Sequence, residues 1–422
     1  MTATADDEPI VLGGREQLFH LLAEASEIEH TLMCTYLYAA FSLRDGEDDG
    51  LDARERDAVR RWQRTIMGVA VEEMGHLLLV ANLSIAVGAR PWFGRPNFPV
   101  EPGCFPSGLV VKLAAFDEAT LDHFIFVERP RGHGMADGAG FDLPDYQRDE
   151  AYDGVMPSMQ DYGTIGRLYE AIRANLVDLT RRLGEDALFV GPVDGQVGPD
   201  VVQIAGVATV GDLATAAAAI DLIVEQGEGA PAVRERSHFN AFTAIRDELR
   251  ALRERNPAFR PAFPVATNPV MRRPLVDRDR VFIDDPAATR VLDFGNATYA
   301  LALRLLVQAF GRRGPEGAMR RDRHLDAAIG LMHVLGRCGR ALARLPASPD
   351  HPGVHAGMSF TMLRAIEPLF GGKAEDAILD ERFSELFGGA RVAAQACPAL
   401  AGVDGTVRAI ADAYRAAAEA SP

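Results

Sequence analysis

Apolar residues recur at alternating steps of three and four along four long stretches, the period of a helix with one buried face. In residues 15–43 the stripe is Leu18, Leu22, Ala25, Glu29, Leu32 and Tyr36. In residues 52–87 it is Trp62, Ile66, Val69, Glu73, His76, Val80 and Leu83, and Gly88 and Pro91 supply the stop. In residues 164–183 it is Ile165, Tyr169, Ile172, Leu176, Leu179 and Leu183, with Glu170 about 100° away on a flank of small residues. A fourth helix starts near Asp212, passes Ala217, Ile220 and Val224, and breaks at Glu225-Gln-Gly-Glu-Gly-Ala-Pro231. It restarts near Pro231 and runs to Arg255 with Glu235, His238, Phe242, Ile245, Leu249 and Leu252 on its stripe.

The pattern predicts a mainly α protein: a four-helix bundle over residues 15–255, then a linker and a helical region over 256–422 that packs on it. Residues 89–160 interrupt the bundle with many Pro and Gly and read as an inserted, lid-like segment. Within it Gly108–Ala115 reads as a short strand, and Asp117 caps a helix through Glu128. Residues 188–210 read as a loop with short strands, and 256–274 as an extended linker over the bundle surface. Further helices are predicted over about 294–310, 320–345 and from 375 onward.

Composition narrows the function classes. A formal charge of −16, dispersed along the chain, lacks the basic face that nucleic acid or an anionic membrane requires. Four scattered cysteines have no metal-ligand spacing and read as reduced thiols. The N-terminus has no basic region followed by an apolar run, and no uninterrupted apolar run reaches about 18 residues. The expectation is a cytoplasmic protein without nucleic-acid or membrane partners.

The chemistry-bearing residues are the polar ones that fall on apolar stripes. Glu73 and His76, and again Glu235 and His238, repeat Glu-x-x-His on buried faces; Glu29 stands on a third stripe and Glu170 beside a fourth. Burying unpaired carboxylates costs several kcal/mol, roughly, unless a cation or strong hydrogen bonds compensate. One Glu from each of two helices and Glu-x-x-His from each of two others is the ligand set of a two-metal bundle. The predicted metal ligands are therefore Glu29, Glu73, His76, Glu170, Glu235 and His238, with Glu225 and Glu228 at the helix break competing for the place of Glu235. Oxygen and imidazole donors suit two iron ions, with manganese as the alternative.

Several words of the chain carry a family resemblance. They are Glu27-Ile-Glu29-His30-Thr-Leu-Met-Cys-Thr-Tyr, Glu72-Glu73-Met-Gly-His76-Leu, Gly166-Arg-Leu-Tyr-Glu170-Ala-Ile, Ile223-Val-Glu225-Gln-Gly-Glu228-Gly, Ser237-His238-Phe239 and Ala297-Thr-Tyr-Ala-Leu-Ala-Leu-Arg-Leu-Leu. Over about residues 15–360 the chain resembles ferritin-like proteins of the kind found in iminophenylpyruvate dimer synthases and in the bisindole-forming enzymes of the violacein and rebeccamycin pathways. The resemblance implies a ferritin-like bundle and a place in oxidative secondary metabolism; because some such enzymes contain haem, haem stays open beside the two irons. The leading expectation is a non-haem di-iron oxidase or oxygenase that uses dioxygen on a small amino-acid-derived metabolite. His30 or Glu228 would do the acid–base work. The runner-up is oxidative coupling of amino-acid-derived imines, and the reading of another class is a non-catalytic iron-binding or structural bundle. The partners are a small-molecule substrate and dioxygen, with a homodimer left open.

Overall fold

The computed structural model describes residues 9–47, 49–100, 109–141, 162–227, 237–275, 279–364 and 366–419. Its elements in chain order are α1 (Arg15–Ser42), α2 (Ala53–Ala86), α3 (Glu118–Val127), α4 (Ile165–Leu183), α5 (Glu185–Leu188), α6 (Leu213–Gln226), α7 (His238–Arg255), β1 (Pro269–Val270), β2 (Val281–Phe282), α8 (Pro286–Ala309), α9 (Gly314–Leu342), α10 (Lys373–Ala396) and α11 (Val403–Glu419). The helix starts are written in the sequence. Asp52 and Glu55 form a capping box at α2, and Asp212 and Thr215 form one at α6. Asp117, Thr164 and Ser237 accept from backbone N–H groups at the starts of α3, α4 and α7.

Helices α1 and α2 run antiparallel along the whole first bundle, and the other two positions are each shared by two shorter helices. Toward the start of α1 the neighbour is α4, where Asn175 takes the Leu12 N–H at 2.9 Å. Toward its end the neighbours are α3 and α7, with the Tyr36 ring 4.6 Å from Phe124 and 5.0 Å from Phe242. On α2, Trp62 near the start donates to Glu248 of α7 at 2.7 Å. Asn82 near its end binds the 197–208 loop, and α6 packs alongside. The two halves meet near the middle of α1 and α2, where Glu29, Glu73 and His76 lie buried. Helix α2 is long and apolar enough to cross a membrane by length and composition alone, yet it is the interior helix of this bundle.

The C-terminal helices α8, α9, α10 and α11 form a second bundle, joined to the first through α1 against α9. Gly339 of α9 leaves the space that the Phe41 ring of α1 fills: an added Cβ would stand 2.1 Å from Phe41 Cδ2. Residues 256–274 differ from the expected surface linker. Phe259, Ala266 and Asn268 are buried, and Asn268 exchanges hydrogen bonds with Leu113, so this stretch is a strap packed between the bundles. The predicted strand at 108–115 is in its described part only a bridge, Val100 to Val111, and 188–210 holds short helical turns rather than strands. Leu113 bonds to the strap at Asn268, and the 197–208 stretch bonds to Asn82 of α2, so among the described residues neither stretch has a strand beside it to extend a ladder.

Candidate metal centre

Two groups of buried side chains converge where the bundle halves meet, and they share Glu73. One group is Glu29, Glu73 and His76; the other is Glu73, Glu128 and His238. Within each group one ligand atom per residue lies within 4.8 Å of the others. His76 Nδ1 stands 3.3 Å from Glu29 Oε2 and 3.2 Å from Glu73 Oε2. His238 Nδ1 stands 3.0 Å from Glu73 Oε1 and 3.4 Å from Glu128 Oε1. Glu73 thus presents one oxygen to each imidazole, and the two rings lie 5.6 Å apart.

The surroundings fix how these groups point. His76 Nε2 donates to the Gln226 Oε1 carbonyl at 3.1 Å, and His238 Nε2 donates to Glu72 Oε2 at 2.8 Å. With a cation between ring and carboxylates, each ring would be neutral, Nε2 carrying the proton and the Nδ1 lone pair turned toward the ion; with no cation the carboxylates favour a proton on Nδ1 as well. Tyr169 donates to Glu29 Oε1 and Tyr36 to Glu128 Oε1, holding the outer oxygens of both acids. Glu73 Oε1, Glu128 Oε2 and His238 Nδ1 are buried and have no hydrogen-bond partner among the described residues. A lone buried polar atom costs about 1–3 kcal/mol, and these three belong to the residues of the second group, which could hold a cation. Three acid and two imidazole side chains of this kind fit a pair of hard or borderline metal ions.

The electrostatics describe a pocket short of positive charge. Burial, reinforced by the Glu73 charge, pushes the Glu29 carboxyl up to about 8. Burial opposes a charged ring at His76, but the Glu29 and Glu73 carboxylates override it and raise the ring to about 10. Burial likewise opposes charge at His238, and Glu128 overrides it, leaving that ring well above its ordinary value. Burial would raise Glu73 as well; His238 and His76 reverse the direction and lower it.

Of the residues expected from sequence, Glu29, Glu73, His76 and His238 are brought together here. Glu170 is not. One residue beyond Tyr169 the helix has turned about 100°, and Glu170 is 45% exposed, ion-paired with Arg131 and Arg167. Tyr169 takes the inward place on α4. Glu225 is exposed at the end of α6, outside both groups. Glu228 and Glu235 lie outside the described residues. His30 is buried but faces α8: Nδ1 donates to the Phe93 carbonyl at 2.9 Å and Nε2 accepts from Tyr299 at 2.6 Å. Burial, then the charge of Arg95, pushes that ring down to about 3; both of its nitrogens are engaged, and it stands outside both groups.

Sequence reasoning missed Glu128. It closes α3 inside the segment read as a lid, directly after Phe124-Ile-Phe-Val127. A carboxylate at a helix C-terminus opposes the helix dipole, and one that follows four apolar residues is set to be buried; those two features are the signal for it.

Fold and site together define a helical-bundle protein whose core carboxylates and imidazoles form two groups around one shared acid. The Ferritin-like family model matches residues 22–247, and the chain belongs to that family. Among curated proteins it is 30% identical over 416 residues to dichlorochromopyrrolate synthase of Lentzea aerocolonigenes, covering 90% of this chain and 39% of that protein. It is 27% identical over 382 residues to 2-imino-3-(indol-3-yl)propanoate dimerase of Chromobacterium violaceum, covering 82% of this chain and 34% of that one. The chain therefore spans between a third and two fifths of the length of these relatives. A solved ferritin-like protein from Caulobacter vibrioides is 19% identical, with a TM-score of 0.49, covering 81% of this chain and 99% of that one.

Proposed function

We propose that this protein is an enzyme that binds two iron ions and oxidises a small amino-acid-derived metabolite with dioxygen. The observation that carries the reading is the shared Glu73, with one oxygen toward each imidazole, and with its own Oε1 and two buried atoms near it lacking partners among the described residues. Glu29, Glu73 and His76 would hold one ion, and Glu73, Glu128 and His238 the other. Iron held by these residues would supply the redox chemistry for reducing dioxygen. The chain's own contribution is to bury the site and to orient it: Tyr169 and Tyr36 fix the outer acids, and Gln226 and Glu72 fix the tautomer of each ring. Full burial of Glu29, Glu73, Glu128, His76 and His238 excludes bulk water from the reacting region.

The two named relatives favour one form of this reaction, the oxidative coupling of two amino-acid-derived imines. The test is to load purified protein anaerobically with iron(II), measure metal by mass spectrometry, and follow dioxygen uptake in excess of that of an amino-acid oxidase alone, which itself consumes dioxygen in generating the imine of tryptophan or phenylalanine, with catalase present to remove its peroxide. About two irons per chain, with imine-dependent dioxygen uptake, is the expected result. A dimeric product identifies coupling, and a monomeric oxidised product identifies simple oxidation. A protein that takes up no metal, or consumes no dioxygen when loaded, overturns the proposal.

A further inference from the structure

The two groups of ligands are not alike. His76 is held through Nε2 by a neutral amide, Gln226, at 3.1 Å, whereas His238 is held by a carboxylate, Glu72, at 2.8 Å. A carboxylate draws the Nε2 proton more strongly, so the Nδ1 lone pair of His238 is the better donor. The groups also differ in what an incoming ion must disturb. His76 Nδ1 is already hydrogen-bonded with Glu29 and Glu73. In the second group His238 Nδ1 approaches Glu73 Oε1 to 3.0 Å, but among the described residues neither of these atoms nor Glu128 Oε2 has a hydrogen bond of good geometry.

A third observation concerns room. Helix α6 ends at Gln226, and Gly227 follows as its cap with φ −114° and ψ −84°. Space at this position is tight. A Cβ on Gly227 would stand 3.0 Å from His238 Nδ1 and 3.3 Å from Glu128 Oε2, two atoms of the second group that have no hydrogen-bond partner among the described residues. The break in α6 therefore supplies both the amide that holds one ring and the clearance beside the other.

Resting on the reading that this cluster holds metal, we propose that its two positions are unequal and fill in order. The Glu73–Glu128–His238 position fills first; Glu72 is the positioning residue that makes it the tighter one, and Gly227 keeps it open. Partners one step behind a ligand change metal affinity by about 10–100-fold, so the first equivalent is expected to bind at least about 10-fold more tightly than the second.

The test is a competitive titration of the full chain with cobalt(II), read by its visible ligand-field bands and by bound-metal analysis. Glu72→Gln, which keeps the size of the side chain and a hydrogen-bond acceptor, is expected to weaken the tight equivalent by about 10-fold and leave the weak one unchanged. Gln226→Glu, the reciprocal change, is expected to tighten only the weak equivalent. Gly227→Ala is expected to abolish the tight equivalent and keep the weak one, and Glu29→Gln to do the reverse. Circular dichroism and melting of each variant confirm that the fold is kept. Equal affinities in the wild type, loss of the tight equivalent on Glu29→Gln, or no response of the tight equivalent to Glu72→Gln overturns the ordered-filling proposal while leaving the two-metal reading intact. A wild-type protein that binds no cobalt(II) overturns both.

Discussion

Glu73 serves both groups, Oε2 toward His76 and Oε1 toward His238, while every other acid serves one. Its loss should therefore differ in kind from the loss of a neighbour. Glu73→Ala is expected to leave no bound iron, because each position is then reduced to one acid and one imidazole. Glu128→Ala is expected to leave one iron, held by the intact Glu29–Glu73–His76 group. Metal analysis after anaerobic loading and desalting distinguishes these outcomes; two irons retained by Glu73→Ala would refute the shared role. Glu73 and His76 were legible in the sequence because a three-residue step keeps both on a stripe whose other members are plainly apolar. The third helix was misjudged by one residue, since Glu170 and Tyr169 differ by 100° of rotation and the tyrosine hydroxyl, not the acid, reaches Glu29. Glu72 is partly exposed, yet its carboxylate reaches His238 across 166 positions, and no local pattern encodes such a pairing.

At the scale of helices, α1 is the element both bundles use, and glycine spacing on α9 sets how it docks. Gly339 and Gly336 lie one turn apart on α9. A Cβ at Gly339 would stand 2.1 Å from the Phe41 ring, while one at Gly336 would meet Arg340 at 3.7 Å and Phe41 at 3.9 Å, ordinary contact distances. Alanine gains about 1 kcal/mol over glycine in a helix, whereas overpacking a core costs about 1–3 kcal/mol. Gly336→Ala is thus expected to be neutral or stabilising, and Gly339→Ala to lower the melting temperature because Phe41, buried, has to move. Melting followed by circular dichroism decides it; equal shifts for the two variants would show that α1 does not dock tightly there. The long helices and the break after α6 could be read from periodicity and caps, since both are local signals. The role of the break could not. That Gln226 and Gly227 sit over His76 and His238 depends on where α6 ends relative to α2 and α7, a tertiary fact. The same holds for α3, a ten-residue helix within an insertion, which packs on α7 and so delivers Glu128 in place of a ligand from α4.

Across the whole molecule, one buried carboxylate ties the second bundle together. Glu375 of α10 accepts from Gln308 of α8 at 2.8 Å, from His324 of α9 at 2.6 Å, and from Arg312; Tyr414 of α11 in turn donates to His324 Nδ1 at 3.1 Å. Burial alone would raise the Glu375 carboxyl, but the His324 and Gln308 hydrogen bonds and the Arg312 charge hold it at about 2, against an ordinary 4.5. Burial lowers His324 below its ordinary 6.5 even though Glu375 pulls the other way. Both shifts have the same sign of consequence. A depressed carboxyl contributes stability that is complete above pH 4.5 and fades as pH falls toward 2, and a depressed imidazole contributes stability that is complete above 6.5 and fades below it. Acidification therefore loosens this bundle in two stages, the ring first and the carboxyl second. Glu375→Gln keeps the shape but removes the charge that Arg312 and Arg320 face. It is expected to cost on the order of 3 kcal/mol near pH 7, and the gap to wild type is expected to narrow steadily between pH 4.5 and 3. Denaturation curves for both proteins across that range measure the gap directly, and a gap that stays constant with pH would show that the Glu375 carboxylate does not carry the charge that unites the four helices.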